Sequence, residues 1–208
     1  MFCEYDIIRW FDVYYGRSTH LEKLVLASQS PRRCELLNRT GIPFETDAPD
    51  VDESCDLPAG EAVRILSLRK AHAAAKVHPG RFILAADTLV SYQDAALGKP
   101  ADEQEAVRML HMLSGKTHQV YTAVTVISPD GTVYTDADRT DVTFTAVDDA
   151  EILDYVRSGE PMDKAGAYAL QGRAGLWVTH IDGSDTSVIG LPLYLVRSLL
   201  LQAGFPLF

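Results

Sequence analysis

The sequence has few cysteines, no long apolar run and fewer basic residues than acidic ones. Its three cysteines, Cys3, Cys34 and Cys55, are odd in number and form no CxxC pair, which argues against a disulfide framework or a zinc site and favours a reducing compartment. No stretch reaches the roughly 18 apolar residues of a membrane-spanning helix. Charged side chains interrupt the first residues and no small-residue cleavage site follows, so we expect a cytoplasmic protein without a secretory signal.

The shortage of basic residues argues against whole classes of partner. Nineteen Lys and Arg against twenty-nine Asp and Glu leave a formal net charge of −10 and a pI near 5.0. Proteins that bind nucleic acid or anionic membranes rely on many cationic contacts with phosphate, so we expect neither partner. The sequence also has no GxxxxGKS/T, GxGxxG, HExxH or GxSxG motif, so P-loop, Rossmann, zinc-protease and α/β-hydrolase sites lose their main support.

The overall amino-acid composition is typical of a globular protein. Of the 208 residues, 47% are hydrophobic and 23% are charged, and this length suits one compact or two-lobed unit. Residues 1–22 stand apart through a dense aromatic cluster. We interpret them as an extension, either a helix that packs on the body or on a second subunit, or a partly disordered or misassigned start. Residues 23–208 form the expected domain.

Strand-like and helix-like patterns alternate from Leu24 onward, which predicts an α/β fold. The predicted strands are Leu24–Ala27, Arg81–Tyr92, Thr117–Ser128, Thr132–Ala146 and Leu176–Ile181. The predicted helices are Arg32–Arg39, Pro58–Val77, Ala101–Leu113, Asp148–Ser158 and Leu191–Leu201. Pro129-Asp130-Gly131 lies between two strand-like runs and predicts a hairpin. The sheet is therefore expected to be mixed rather than purely parallel.

A candidate anion site lies at the first strand-to-helix junction, Ser28-Gln29-Ser30-Pro31-Arg32-Arg33. Pro31 suits the first helical turn, and Ser30 suits the N-cap before it. The free N–H groups and the dipole at a helix start favour anions, and adjacent arginines add charge-assisted contacts with phosphate. An ordinary capped helix with two surface arginines is the alternative.

Two carboxylates are candidates for catalysis or metal binding. Asp87 follows the apolar pair Ala85-Ala86 at the end of a strand-like run, where active-site groups of open α/β sheets tend to lie. Glu53 lies in an acidic loop. Magnesium that accompanies a nucleotide typically uses one or two carboxylates plus phosphate oxygens. A turn residue and a solvated loop are the corresponding structural alternatives.

Lysines and one histidine complete the candidate residues. Lys99, Lys116 and Lys164 lie close to glycine or proline in turn-like segments, and Lys70 lies on the second predicted helix. In an acidic protein they would either form a local positive pocket for a polyphosphate or be ordinary surface lysines. His118 is a candidate contact for a ligand, although the six histidines show no metal-binding spacing.

Six segments in order along the chain match one family pattern. They are Leu24–Glu45, Ala86–Thr88, Leu97–Pro100, Leu113–Thr122, Ser158–Gly172 and Ile181–Leu193. Together they resemble the Maf family of nucleoside triphosphate pyrophosphatases, from Leu24 to about Leu201. The resemblance implies an α/β, mixed-sheet, two-lobed fold with a central cleft, similar to that of inosine-triphosphate pyrophosphatases.

The resemblance also implies an activity. Members hydrolyse a nucleoside triphosphate to the monophosphate and pyrophosphate with a divalent cation, Mg²⁺ or Mn²⁺. The stretch Asp163–Tyr168 with Gln171-Gly172 is similar to the branch acting on dTTP and UTP, so these or modified pyrimidine nucleotides are the expected substrates in a house-cleaning role. A homodimer is expected as well. The sequence departs from the usual pattern at Arg173-Ala174 and at Asp185.

The family's functional positions fall on ten residues of this chain. The resemblance implies that Ser28, Arg32 and Arg33 hold the phosphates, and that Lys70, Lys99 and Lys164 close a positive cleft. Glu53 and Asp87 would bind the metal and handle the attacking water, with Asp87 as proton acceptor. Arg32, Thr88 and Gln171 match positions linked to base choice. A nucleotide-binding regulator of cell division with little turnover is the alternative function for the same pocket.

Overall fold

The structure, a computed structural model, describes residues 23–207, so the extension at residues 1–22 lies outside the described part of the chain. Seven strands form one sheet: β1 (Leu24–Leu26), β2 (Phe44–Thr46), β3 (Ile83–Tyr92), β4 (Ala95–Leu97), β5 (Thr117–Ile127), β6 (Val133–Phe144) and β7 (Val178–Asp182). Their order is β2-β1-β3-β5-β6-β7, with β4 paired to β3 outside this path. β1 is parallel to β2 and β3, and the other pairs are antiparallel.

Helices pack on this sheet and on each other. They are α1 (Pro31–Asn38), α2 (Ala59–Val77), α3 (Glu103–Leu113), α4 (Asp149–Arg157), α5 (Asp185–Ile189) and α6 (Leu193–Gln202). Aspartates cap two of them, because Asp102 accepts from the Glu105 N–H at 2.7 Å and Asp148 accepts from the Glu151 N–H at 2.8 Å. Between α4 and β7 the chain forms short 3₁₀ turns at Glu160–Asp163, Ala165–Ala167 and Arg173–Trp177.

The cleft of the protein originates in the pairing of β3. Ile83 and Leu84 pair with β1, whereas residues 90–92 pair with β4 on the same edge. Along the opposite edge β5 pairs with residues 83–91 without interruption. β1 and β4 therefore diverge from one edge of β3, and the gap between them opens at Asp87 and Thr88.

Each side of this fork has its own hydrophobic core. One cluster joins β1, α1 and α6 through side chains that include Leu26, Leu36 and Leu199. The other joins the far end of β3 to α3 and α4 through Val90, Leu110 and other buried residues. The molecule therefore has two lobes that share the long strands β3 and β5. The expected α/β mixed-sheet, two-lobed fold with a central cleft is confirmed.

The predicted hairpin is confirmed as well. Gly131 has a φ of +87°, and the Ser128 N–H donates to the Thr132 carbonyl at 3.0 Å across the turn between β5 and β6. Among the described residues, no helix combines the length and apolar character needed to cross a bilayer.

Three short elements, β2, β4 and α5, were not expected, because three to five residues are too few to show a period. β4 follows a turn in which Gln93 and Asp94 have φ values of 49° and 65°, a conformation usually signalled by Asn-Gly.

Some elements begin or end at residues other than those predicted. α1 begins at Pro31 and the Ser30 side chain makes no cap bond, while residues 173–177, partly predicted as strand, form a 3₁₀ turn.

Candidate active site

A cleft of about 950 Å³ lies between the lobes at the fork in β3. All ten side chains predicted to take part in function line it. They are Ser28, Arg32, Arg33, Glu53, Lys70, Asp87, Thr88, Lys99, Lys164 and Gln171. Five of these are cationic, and Asp50 and Asp163 add two carboxylates to those of Glu53 and Asp87. The cleft therefore carries a small excess of positive charge in a chain whose net charge is −10.

The cleft has two walls of different construction. We call residues 28–33, Lys70 and residues 87–88 the strand wall, because they lie on or directly after β1, α2 and β3. We call residues 163–171 the turn wall, because they belong to the short turns that follow α4. An ion pair of 3.4 Å between Arg32 and Asp163 joins the two walls.

Arg33 is the most extensively bonded cation of the strand wall. Its guanidinium donates to the Gly190 carbonyl at 2.8 Å, to Thr88 Oγ1 at 3.2 Å and to Ser28 Oγ at 3.3 Å. Burial lowers the pKa of Arg33, and the nearby charge of Asp87 opposes this effect. Because an arginine stays protonated at physiological pH, a full positive charge lies in the cleft with only uncharged groups as hydrogen-bond acceptors.

Thr88 is held by a chain of hydroxyl groups that runs into the sheet. Its Oγ1 lies 3.0 Å from Thr122 Oγ1, and Thr122, which is fully buried, donates to the Ser187 carbonyl at 2.8 Å. With Arg33 as donor and Thr122 as partner, the Thr88 hydroxyl is fixed beside Asp87 on β3.

Asp87 and Glu53 share one lysine. Lys70 Nζ lies 2.5 Å from Asp87 Oδ1 and 2.6 Å from Glu53 Oε1. The Asp87 side chain is only 9% exposed, whereas that of Glu53 is 49% exposed and so is more readily reached from solvent. The ammonium between them offsets the mutual repulsion of the two carboxylates and draws both to the same point of the cleft.

The loop that presents Glu53 is fixed from behind by the helix that presents Lys70. Arg69 donates to the backbone carbonyls of Asp52 at 3.0 Å and Ser54 at 2.8 Å, on either side of Glu53. Partial burial would raise the pKa of Glu53, but the hydrogen bond and charge of Lys70 outweigh it, so the pKa lies below its ordinary value. Glu53 is therefore an anion at neutral pH.

Glu53 and Asp87 are also the residues that suit a metal ion. Within residues 23–207, no three histidine, cysteine or acidic side chains cluster closely enough to hold a metal by themselves. Two converging carboxylates fit a cation such as Mg²⁺, which commonly takes one or two protein carboxylates and completes its shell with phosphate oxygens and water. The donor set thus suits a cation that arrives with a phosphorylated ligand.

The turn wall supplies one cation, Lys164, and one amide, Gln171, whereas Lys99 lies outside both walls, 3.8 Å from Glu53. Lys164, whose side chain is 12% exposed, donates to Asp163 Oδ1 at 2.6 Å and to the Glu160 carbonyl at 2.5 Å. Partial burial would raise the pKa of Asp163, but the hydrogen bond from Lys164 outweighs it and lowers that pKa. Gln171, the last residue of this wall, is exposed, and its side chain makes no hydrogen bond within residues 23–207.

Several residues that support the site were missed from the sequence. Asp163 belongs to the family-like segment Asp163–Tyr168 but was not predicted to have a role of its own, yet it bridges Arg32 and Lys164. Arg69 gave no signal, because a helix-surface arginine beside an acidic loop is common. Gly190 contributes a carbonyl rather than a side chain, and its φ of +120° is the signal that only a structure reveals.

Other candidates lie outside the cleft. His118 is fully buried under the turn wall, where its Nε2 lies 2.9 Å from the Tyr168 hydroxyl, so the expected ligand contact is wrong. Lys116 does not line the cleft in the described part of the chain. Neither of the departures from the family pattern lines it either, and Arg173 instead pairs with Asp154 at the surface.

Comparison with known proteins identifies a family and several relatives that this sequence matches. The family described as Maf-like protein matches residues 23–203. Proteins named dTTP/UTP pyrophosphatase from Bacillus cereus (strain AH820) and Bacillus anthracis are each 47% identical over 182 residues, which cover 86% of this chain and 95% of theirs.

Solved structures support the same fold. The Staphylococcus aureus Ham1 protein and a HAM1 protein from Coxiella burnetii both align with a TM-score of 0.51, at 13% and 16% identity. Each alignment covers 87% of this chain and 99% of the other. At such identities the likeness shows a shared fold.

Proposed function

The chain belongs to the Maf-like protein family, and on that premise we propose that it hydrolyses dTTP and UTP to the nucleoside monophosphate and pyrophosphate. The observation that supports this most directly is the convergence of Asp87, Glu53 and five cations in one cleft. A polyphosphate repels both an acidic protein and an anionic nucleophile, so its charge must be neutralised before hydrolysis can proceed.

Charge neutralisation is the role of the five cations of the cleft, those of the two walls and Lys99. Arg33, whose partners are uncharged, accepts a phosphate without losing an existing ion pair. Lys164 is paired with Asp163, whose side chain is 64% exposed and can turn into solvent as a phosphate oxygen replaces it. Lys70 can add a phosphate oxygen to its contacts with Glu53 and Asp87. Arg32, Lys99 and the Ser28 hydroxyl complete the phosphate contacts.

Asp87 is the proton acceptor in this proposal. Among the three cleft carboxylates that pair with a lysine, Asp87 is the least exposed. Lys70 and the β3 backbone fix the direction of its carboxylate. A carboxylate held in this way takes the proton from a water molecule aimed at the α-phosphorus, a contribution of typically about 10²–10⁴-fold in rate.

The divalent cation of the reaction, Mg²⁺ or Mn²⁺, would be held by Glu53 and Asp87 and would neutralise charge on the phosphate oxygens. Lys70 then keeps a role beside the two carboxylates, because its ammonium can bond to a phosphate oxygen while it limits their repulsion.

The base is read chiefly by the Gln171 side chain of the turn wall. The Gln171 amide offers both a donor and an acceptor, which complements the O4 acceptor and N3–H donor of uracil and thymine. Thr88 and Arg32 are the further positions at which base choice is decided. Modified pyrimidine nucleotides with the same edge are also substrates, consistent with house-cleaning of nucleotide pools.

We further propose the setting of this activity. Residues 23–208 act as the pyrophosphatase domain, in the cytoplasm and as a homodimer, with residues 1–22 as an appended segment. The acidic surface leaves nucleic acid and membranes without a role as partners.

The test is pyrophosphate release from dTTP, UTP, CTP, ATP and GTP by the purified full chain, with Mg²⁺, Mn²⁺ or a chelator. Metal-dependent release from dTTP and UTP, with the monophosphate as co-product, is expected. Turnover of a purine nucleotide instead would overturn the base assignment. Binding of nucleotide without release from any of the five would favour the regulator.

A further inference from the structure

The segment 169–173, which presents Gln171 to the cleft, is bonded near both of its ends to one pair of side chains, the buried Tyr155 and the half-buried Glu160. The Tyr155 hydroxyl donates to Glu160 Oε1 at 2.9 Å, and the same hydroxyl accepts from the Ala169 N–H at 3.3 Å. Glu160 Oε1 also accepts from the Arg173 N–H at 3.2 Å. Tyr155 therefore fixes the first residue of the segment, Ala169, and Glu160 fixes the last, Arg173.

Tyr155 is built into the hydrophobic core of the lobe that contains α3 and α4. Tyr155 is fully buried on α4, and its ring stacks edge-on against Trp177 with the ring centres 5.0 Å apart. Burial raises the pKa of the Tyr155 phenol, and the hydrogen bond to Glu160 raises it further. The phenol therefore stays protonated and remains a donor to the carboxylate across the physiological pH range.

Gly172 shows how closely the segment fits this carboxylate. A Cβ built on Gly172 would lie 1.8 Å from Glu160 Oε1 and 2.6 Å from its Cδ. Any larger residue at this position must push the carboxylate away from Tyr155 and Arg173. The backbone of the segment thus packs directly on Glu160, and Gln171 is the residue immediately before this contact.

We propose that Tyr155 and Glu160 act as positioning residues. They hold Gln171 in the position required to contact the base, and so determine which base the enzyme accepts. This inference rests on the proposed function. Neither side chain lines the cleft, so both act through the backbone at residues 169–173. Glu160 also accepts from Lys164 through its main-chain carbonyl, a contact that side-chain substitutions leave in place.

The decisive variant is Tyr155→Phe, which removes one hydroxyl and keeps the buried ring. The ratio of kcat/KM for dTTP to that for GTP is expected to fall by about tenfold or more, through a higher KM for dTTP, while kcat changes by less than about threefold. Hydrogen exchange of the Ala169 and Arg173 amides should accelerate in the free variant, because both lose an ordered partner. Tyr194→Phe is the matched control, since Tyr194 donates to Asp138 at 2.6 Å on the surface, away from the cleft.

Two further variants keep the proposal testable if Tyr155→Phe folds poorly. Gly172→Ala should displace the carboxylate and lower the selectivity ratio in the same way. Glu160→Gln keeps an acceptor oxygen for both donors and should retain the ratio within about threefold, whereas Glu160→Ala should lose it. An equal loss for dTTP and GTP, or an unchanged ratio with unchanged amide exchange, would contradict the positioning role while leaving the enzyme assignment intact. A wild-type chain that releases no pyrophosphate from dTTP or UTP would overturn the proposed function, and this inference with it.

Discussion

The two walls of the cleft are stabilised in different ways. In the strand wall, charged side chains lie on regular elements, Arg33 on α1, Lys70 on α2 and Asp87 on β3, and bond to one another or to polar groups close to them in space, as Lys70 does with Asp87. In the turn wall, consecutive turns are held in place by buried side chains that come from distant parts of the chain, as His118 and Tyr155 do with Tyr168 and Ala169.

The difference separates chemistry from selectivity. The strand wall places fixed charges around one carboxylate, an arrangement suited to hydrolysis of any nucleoside triphosphate. The turn wall presents an amide on a segment with little regular structure, whose position depends on hydrogen bonds from behind. Changes to Asp87 and Lys70 in the first wall should affect turnover, and changes behind the second wall should affect base choice or stability, while Thr88 and Arg32 of the first wall also contribute to base choice.

The largest expected effect comes from Asp87→Asn in the strand wall. Removing the proton acceptor should lower kcat by about 10²–10⁴-fold while the fold is kept, because asparagine has nearly the same shape. Steady-state pyrophosphate release and thermal unfolding measure the two effects. Asp136→Asn, on β6 and outside the cleft, is the control. If Asp87→Asn kept more than about a tenth of the wild-type rate, the base would have to be another group.

A smaller effect is expected from the imidazole behind the turn wall. Burial lowers the pKa of His118 from 6.5 to about 4, with the charge of Asp141 opposing it. Between pH 6.5 and about 4 the unfolded state therefore binds a proton that the folded state does not, so stability falls as the pH falls.

His118→Gln removes this proton linkage. The loss of unfolding free energy between pH 6.5 and 4 should be smaller in the variant by roughly 3 kcal/mol. Urea unfolding at several pH values measures it, with the exposed His180→Gln as control. Parallel pH curves for wild type and His118→Gln would show that His118 is not buried in neutral form.

Arg33→Lys should lower kcat/KM about tenfold, which corresponds to a loss of about 1.4 kcal/mol of transition-state stabilisation. A lysine has one ammonium and cannot serve Gly190, Thr88 and Ser28 together as the guanidinium does. Initial rates across a range of dTTP concentrations measure the change. Arg39 lies at the C-cap of the same helix and pairs with Glu35 in solvent, so Arg39→Lys should leave kcat/KM unaltered. Similar values for both variants would remove Arg33 from the phosphate site.

The smallest effect is expected outside both walls, at the exposed ion pair of Arg64 and Asp136, 2.8 Å apart. Arg64→Ala should change the unfolding free energy by less than about 1 kcal/mol and leave turnover and base selectivity as they were. Urea unfolding and the dTTP assay provide the measurement. A clear loss of activity would show that the charges relevant to function extend beyond the cleft.

The same contrast explains which parts could be predicted from the sequence. Asp87, Arg33 and Lys70 lie on or next to elements with clear apolar periodicity, so their elements were predicted and their roles followed from a family resemblance. The fork of β3 could not be predicted, because it depends on β4, three residues that become a strand only by pairing. The Tyr155–Glu160 contact could not be predicted either, since neither residue type nor spacing indicates that a tyrosine will bond to the backbone of a turn.

The most direct test of the account is hydrolysis of dTTP in water enriched in ¹⁸O, with mass spectrometry of both products. Water directed at the α-phosphorus by Asp87 predicts one ¹⁸O atom in the thymidine monophosphate and none in the pyrophosphate. Label in pyrophosphate, or release of orthophosphate in its place, would contradict attack at the α-phosphorus and the role assigned to the cleft.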